Sequence, residues 1–370
     1  DDNSPGKRTV LLELSGRGAC RTCNFSMKDQ MSVEKMGLSD RVALRHVAAE
    51  IECPGLISRF YTGTLVWNLL NQFAAYYRPY ESEAGEIDRI YQKYCDELIR
   101  ILEKPTERSF SGIISKMGSV GRIIAGIIEE SQGADLFEQL TRRASEQFAS
   151  FRERHPDKKS LRTVFLTGDI YLRLDDCGSD SIVRRLNARG MRVIVEPLWA
   201  LAEYLVEERS AELFNMPQGY FMNSMTKIFM PKSRKRFYEI AQEQNPWLPS
   251  SDVPDMLKKA KPIIDRHPRG EAPITVGSVM HHWDESICDG IVIVGPWGCG
   301  PAMISESLLK HQRQIPMLFV YNDGSPIDER RLNGFVFRLR RREPRAVTES
   351  RPAKSRKIKR KSSPQTFKKN

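Results

Sequence analysis

Cys299 lies in the run Asp289-Gly-Ile-Val-Ile-Val-Gly-Pro-Trp-Gly-Cys-Gly-Pro-Ala-Met303, where residue type and spacing speak most directly of chemistry. A thiol can ionise to a soft anion that ligates a metal or an inorganic cluster, and flanking glycines leave the backbone open to close approach. Cys20 and Cys23, in Gly-Arg-Gly-Ala-Cys-Arg-Thr-Cys, have the gap that lets two sulfurs reach one metal. Structural zinc normally wants a second such pair, and this sequence has none. Two readings stay open for these cysteines: cluster ligation, or small apolar side chains at tight turns.

The other chemistry-bearing residues say less. Cys95 falls on the apolar face of a helical stretch and reads as core, while Cys53 and Cys288 read as structural. Cys177, after Asp175 and Asp176 in a loop, could serve as a spare ligand, although a role without chemistry explains it more simply. Gly295, Gly298 and Gly300 ahead of a helix could cradle phosphates such as those of CoA. Their order is not that of a dinucleotide fingerprint, and no P-loop lysine follows. His281, His282 and Asp284 with Cys288 can be drawn as a metal site, but a solvated helix face explains them more simply. Serine-hydrolase and zincin motifs are absent from the sequence.

A strand and a helix must position Cys299. Ile291 to Val294 is a β-branched run suited to a strand covered on both faces, and Pro301 suits the first turn of a helix over Ala302 to Gln312. Further strands are expected at Thr9–Leu14, Leu161–Leu166, Arg192–Val195 and Met317–Tyr321. Helical composition fills Gly55 to about Arg154 and much of Leu198 to Glu285. Strands alternating with helices predict an α/β fold with a doubly wound parallel sheet and large helical insertions. The expected division is a disordered start at 1–8, a first β-loop-α part at 9–54 and a helical insertion at 55–160. The remaining α/β domain follows at 161–337, with a second helical segment at about 198–285, and a basic disordered tail ends the chain at 338–370. If the strands before Cys20 and Cys299 lie centrally in one parallel sheet, their carboxyl-end loops converge.

Bulk properties bound the options. With 370 residues, 40% of them hydrophobic, the chain can bury a substantial core. No run reaches the roughly 18 apolar residues of a membrane span, and no secretory signal is visible. Seven scattered cysteines do not make a secreted disulfide framework, which points to a reducing cytoplasm. The chain begins with Asp, so a fragment or processed product is expected. Of the net charge of +11, residues 338–370 supply +12 through 14 Lys and Arg against two Glu, leaving residues 1–337 at −1. Such a tail is expected to be a solubilising extension rather than a nucleic-acid contact.

Four ordered blocks resemble the 2-hydroxyacyl-CoA dehydratase and benzoyl-CoA reductase superfamily, most closely its acyl-CoA dehydratase activase-related proteins. Gly18-Ala-Cys20-Arg21 resembles that group's Gly-Pro-Cys-Arg block, with Glu34 to Arg41 as the following helix and turn. Leu166-Thr-Gly-Asp-Ile-Tyr-Leu-Arg-Leu-Asp175 resembles its Gly-Glu-Ile-Tyr-Val-Arg strand and loop. Arg269 to Gly277 resembles its Gly-Glu-Ala helix start, and Pro296-Trp-Gly-Cys299-Gly-Pro301 its Phe-Gly-Cys-Met-Pro turn. The resemblance spans about residues 10–325. It implies a Rossmann-like fold, a 4Fe-4S or related iron–sulfur cluster at the strand ends, and low-potential electrons from an ATP-dependent activase.

Carried over residue by residue, Cys20 and Cys299 match ligand positions, and Gly298 and Gly300 shape the loop. Cys23 stands where family members commonly lack cysteine and is a replacement ligand; Arg21 matches a motif position without an assigned role. Members usually carry a further cysteine motif upstream, so the ligand set is expected to be incomplete in this chain. The leading expectation is an iron–sulfur component of an acyl-CoA dehydratase or reductase-type system, with acyl-CoA as ligand and no membrane contact. The alternative is a noncatalytic assembly or regulatory subunit that keeps the fold. Either would work with an activase and a complementary amino-terminal half or second subunit.

Overall fold

A computed structural model of the chain describes residues 8–13, 22–46, 54–103, 118–155, 161–212, 217–265 and 270–345. It is a mixed α/β structure with two parallel sheets. Strands β3 (Thr163–Gly168), β4 (Arg192–Val195), β5 (Gly290–Pro296) and β6 (Met317–Asn322) form one sheet in the order β4-β3-β5-β6. All three pairings are parallel, with Phe165 opposite Ile291 and Ile291 opposite Met317. The chain leaves β3 toward one side of the sheet and returns on the other, so the order reverses between β3 and β5. Crevices at the carboxyl ends of strands open where such a reversal occurs.

Alternation along the strands feeds two cores. Phe165, Ile194, Ile291 and Ile293 face the large helical side, whereas Val164, Leu166, Val193, Val195, Val292 and Val294 face the other. The second face is covered by α5 (Ile182–Ala188) and α11 (Glu329–Arg340), the latter through Leu332, Phe335, Val336 and Leu339. The first face carries α2 (Pro54–Tyr77), α6 (Leu198–Glu212), α8 (Val253–Ala260) and α9 (Ala272–Asp284). Helices α3 (Glu86–Glu103), α4 (Gly118–Arg154) and α7 (Pro217–Gln242) extend that layer. An aromatic cluster ties it together: Tyr76 and Trp247 stack at 3.6 Å, and the Trp247 indole donates to Tyr77 Oη at 3.1 Å. Helix α2 also grips the sheet, Gln72 donating to the Val195 carbonyl at 3.1 Å.

Strand β1 (Thr9–Glu13) departs from expectation. It pairs in parallel with β2 (Val42–His46), a strand the sequence reading did not assign, in a separate two-stranded sheet bridged by α1 (Thr22–Lys35). A partner delivered by its own short crossover satisfies β1 locally, so among the described residues β1 and β5 do not share a sheet. Convergence of Cys20 and Cys299 over one common edge therefore loses its expected basis. Helix α11 also overlaps the segment assigned to the tail, because Arg338 and Arg340 are helical and Leu339 between them is fully packed.

The expected solvated face of α9 is a further correction. His281 and His282 are buried, as is every residue from Ala272 to Val279. The reason is packing from both sides: Gly277 lies so close to α8 that a Cβ there would sit 2.2 Å from the Met256 carbonyl oxygen. His282 stacks on Phe165 at 3.8 Å, and burial lowers its pKa to about 3. It is a neutral core ring. Among the described residues no group of three or more His, Cys, Asp or Glu is arranged to hold a metal, and no helix is long and apolar enough to cross a membrane.

Candidate functional site

The carboxyl edge of the four-stranded sheet gathers the polar residues. Strand β3 ends on Gly168 at φ +110°, where a Cβ would meet the Val294 carbonyl oxygen at 2.1 Å, so only glycine allows this approach. Asp169 then turns the chain, its Oδ1 accepting from the Tyr171 and Leu172 N–H groups at 3.0 Å each. That turn returns Arg173 beneath the edge. Its Nη1 donates to the Gly168 carbonyl at 2.7 Å and to Glu196 Oε2 at 2.9 Å, and Thr167 Oγ1 donates to the same oxygen at 2.7 Å.

Arg173 and Glu196 are both buried, with side chains 4% and 2% exposed. An ion pair so far from water needs its lone pairs and protons satisfied. Here Glu196 Oε1 and Arg173 Nε have no hydrogen-bond partner among the described residues. Glu271, at the amino end of α9 and half-buried, is near enough to feel the charges of Arg173, Asp169 and Glu196. Burial lifts its pKa from 4.5 to about 7; Arg173 opposes the rise, while Asp169 and Glu196 add to it. Such a carboxyl can take up or release a proton near neutrality.

Beside it lies the β5 turn. Trp297 N–H donates to the Asn322 carbonyl at 2.9 Å, Gly298 takes φ +74°, and Cys299 N–H closes on the Pro296 carbonyl at 3.0 Å. Cys299 is the residue before the first turn of α10 (Gly300–Leu309), half-buried and at the end of β5 as the sequence predicts. A helix amino end favours a thiolate over a thiol. Gly295 serves packing rather than phosphate: a Cβ there would lie 2.8 Å from the Ala302 Cβ. Tyr321 hydrogen-bonds the Ala302 carbonyl at 3.3 Å. Burial, then Glu306, then Cys299 push its pKa above the ordinary range. A Cβ on Gly270 would touch Pro301 Cγ at 3.4 Å, so the amino ends of α9 and α10 meet at this edge.

A shallow groove of about 640 Å³ starts at Gly300 and follows α10 past Met303, Ile304 and Ser307, with Ile263 and Ile264 opposite. Cys20 lies outside the described residues; Cys23 is in α1, with its side chain outside them. Cys53 also lies outside. Cys177 is exposed, Cys288 is fully buried with its thiol pKa raised by that burial, and Cys95 is half-buried against the helical core. Arg173, Glu196 and Glu271 escaped functional assignment from sequence, although the first and last lie in the quoted blocks. Glu196-Pro197 directly after a strand was the available signal for the second. No family model, curated protein or solved structure matches the chain.

Proposed function

We propose that this chain is the iron–sulfur component of an acyl-CoA dehydratase or reductase-type system, built on a Rossmann-like, doubly wound fold and acting in the cytoplasm. The observation that carries this reading is the placement of Cys299. It stands at the strand-order reversal, on a glycine turn and at a helix amino end. That setting fits one cluster ligand. Cys20 and Cys23 would supply others, with Gly298 and Gly300 shaping the loop, and a complete set calls on a second chain or segment.

When bound, a 4Fe-4S or related cluster supplies one-electron chemistry at low potential. The chain's own part is to hold Cys299 in its turn and to keep a titratable carboxyl, Glu271, at the same edge. Electrons would come from an ATP-dependent activase, and an acyl thioester would be the acceptor. Anaerobic reconstitution with iron and sulfide tests this: the wild type should bind both and give a reduced-cluster EPR signal that Cys299→Ala loses. A wild-type protein without iron or signal ends the proposal.

A second reading, a noncatalytic assembly or regulatory subunit, draws support from the separate β1–β2 sheet, which removes the common edge for Cys20 and Cys299. It expects metal-free protein that still copurifies with an activase.

A further inference from the structure

The most one-sided charge among the described residues lies at the carboxyl end of α11, away from Cys299. Arg338, Arg340, Arg341, Arg342 and Arg345 are all exposed, and no ion pair joins any of them to a carboxylate among the described residues. Arg340 and Arg342 reach backbone carbonyls of Arg189 and Gln314, which leaves their charge uncancelled, whereas Arg345 lies over Trp283 with its backbone N–H on the Asp289 carboxylate. Glu343 is the one acid between Arg338 and Arg345, and the 25 residues that follow add nine Lys and Arg against one Glu. A few cations at a helix carboxyl end complement its dipole, but that effect fades within a turn and does not account for this number.

Position and chemistry narrow the partner. Arg162, just before β3, donates to the Leu339 carbonyl at 3.2 Å, and Arg340 reaches the residue before Gly190, just ahead of β4. The basic end of α11 thus borders the amino edge of the sheet, opposite the candidate site. Its apolar stripe is spent on the core, so it has no face left to enter a lipid surface. What remains outward is arginine around one aromatic ring: Phe337 is 59% exposed, and the Arg341 guanidinium lies 5.5 Å from its centroid. Guanidinium groups beside an open ring suit a phosphodiester chain whose bases can stack.

We propose that Arg338, Arg341 and Arg342, with Phe337 among them, form a docking surface for single-stranded nucleic acid. Fluorescence anisotropy of the full chain with a labelled single-stranded oligonucleotide, across a salt series, tests it. Binding should weaken steeply with salt. The variant Arg338→Gln/Arg341→Gln/Arg342→Gln should flatten the log–log salt slope by about 2, since each single-strand phosphate contact contributes about 0.7. Phe337→Ala should weaken single-strand binding about tenfold and duplex binding far less.

Circular dichroism checks folding. Should the triple variant unfold, Arg338→Gln alone, at an exposed position, should still flatten the slope by about 0.7. An unchanged slope in the folded variants would place any affinity in residues 346–370 and overturn the proposal. Tighter binding to phosphatidylserine vesicles, or equal competition by polyaspartate at matched charge, would overturn it in favour of a membrane or an acidic protein.

Discussion

Arg173 and Glu196 show how much rests on single side chains at the sheet edge. Removing one partner strands the other as an uncompensated buried charge, at a cost of about 3 to 5 kcal/mol. Arg173→Met should lower the urea midpoint accordingly, and adding Glu196→Leu should recover most of the loss. A single variant as stable as wild type would contradict the burial described. Glu271 gives a pH-dependent counterpart. The folded chain holds its proton up to about pH 7, whereas the unfolded chain releases it near 4.5. Its contribution to stability is therefore complete below 4.5 and is lost as pH rises through 7. Denaturation of Glu271→Gln beside wild type at several pH values should show the variant gaining relative stability across that window and no further above it. A constant difference would remove Glu271 as a titrating group. Neither arginine nor glutamate stood out in the sequence, because a charge reads as surface until distant segments are seen to cover it.

At the scale of elements, α11 is the instructive case. Leu332, Phe335, Val336 and Leu339 recur at helical spacing, and all four are buried on one face of the sheet. The run of arginines drew the last three residues of the helix, Arg338 to Arg340, into the tail. Each buried apolar side chain is worth about 1.5 to 3 kcal/mol, so the four together rival the whole stability of a typical domain. Ending the chain after Arg345 should leave its thermal unfolding unchanged, while ending it after Asp328 should give unfolded or aggregated protein. Equal stability of the two truncations would mean that α11 is not part of the core. Helix α9 misled in the opposite way: enclosed on nearly every side, it has no polar stripe from which burial could be read, and its paired histidines suggested a solvated face.

For the whole molecule, the sequence by itself determined that strands alternate with helices, that β3 to β6 lie within a residue or two of their observed bounds, and that Cys299 follows β5 on a glycine turn. Those features depend on β-branched runs, proline and glycine, whose preferences act within a few residues. Tertiary structure alone decided the rest: the pairing of β1 with β2, the strand order that reverses beside Gly168, the meeting of the α9 and α10 amino ends, and the burial of Arg173 against Glu196. Each of these joins segments tens to hundreds of residues apart, and which segments meet is set by the packing of two sheet faces at once, a condition no local pattern carries.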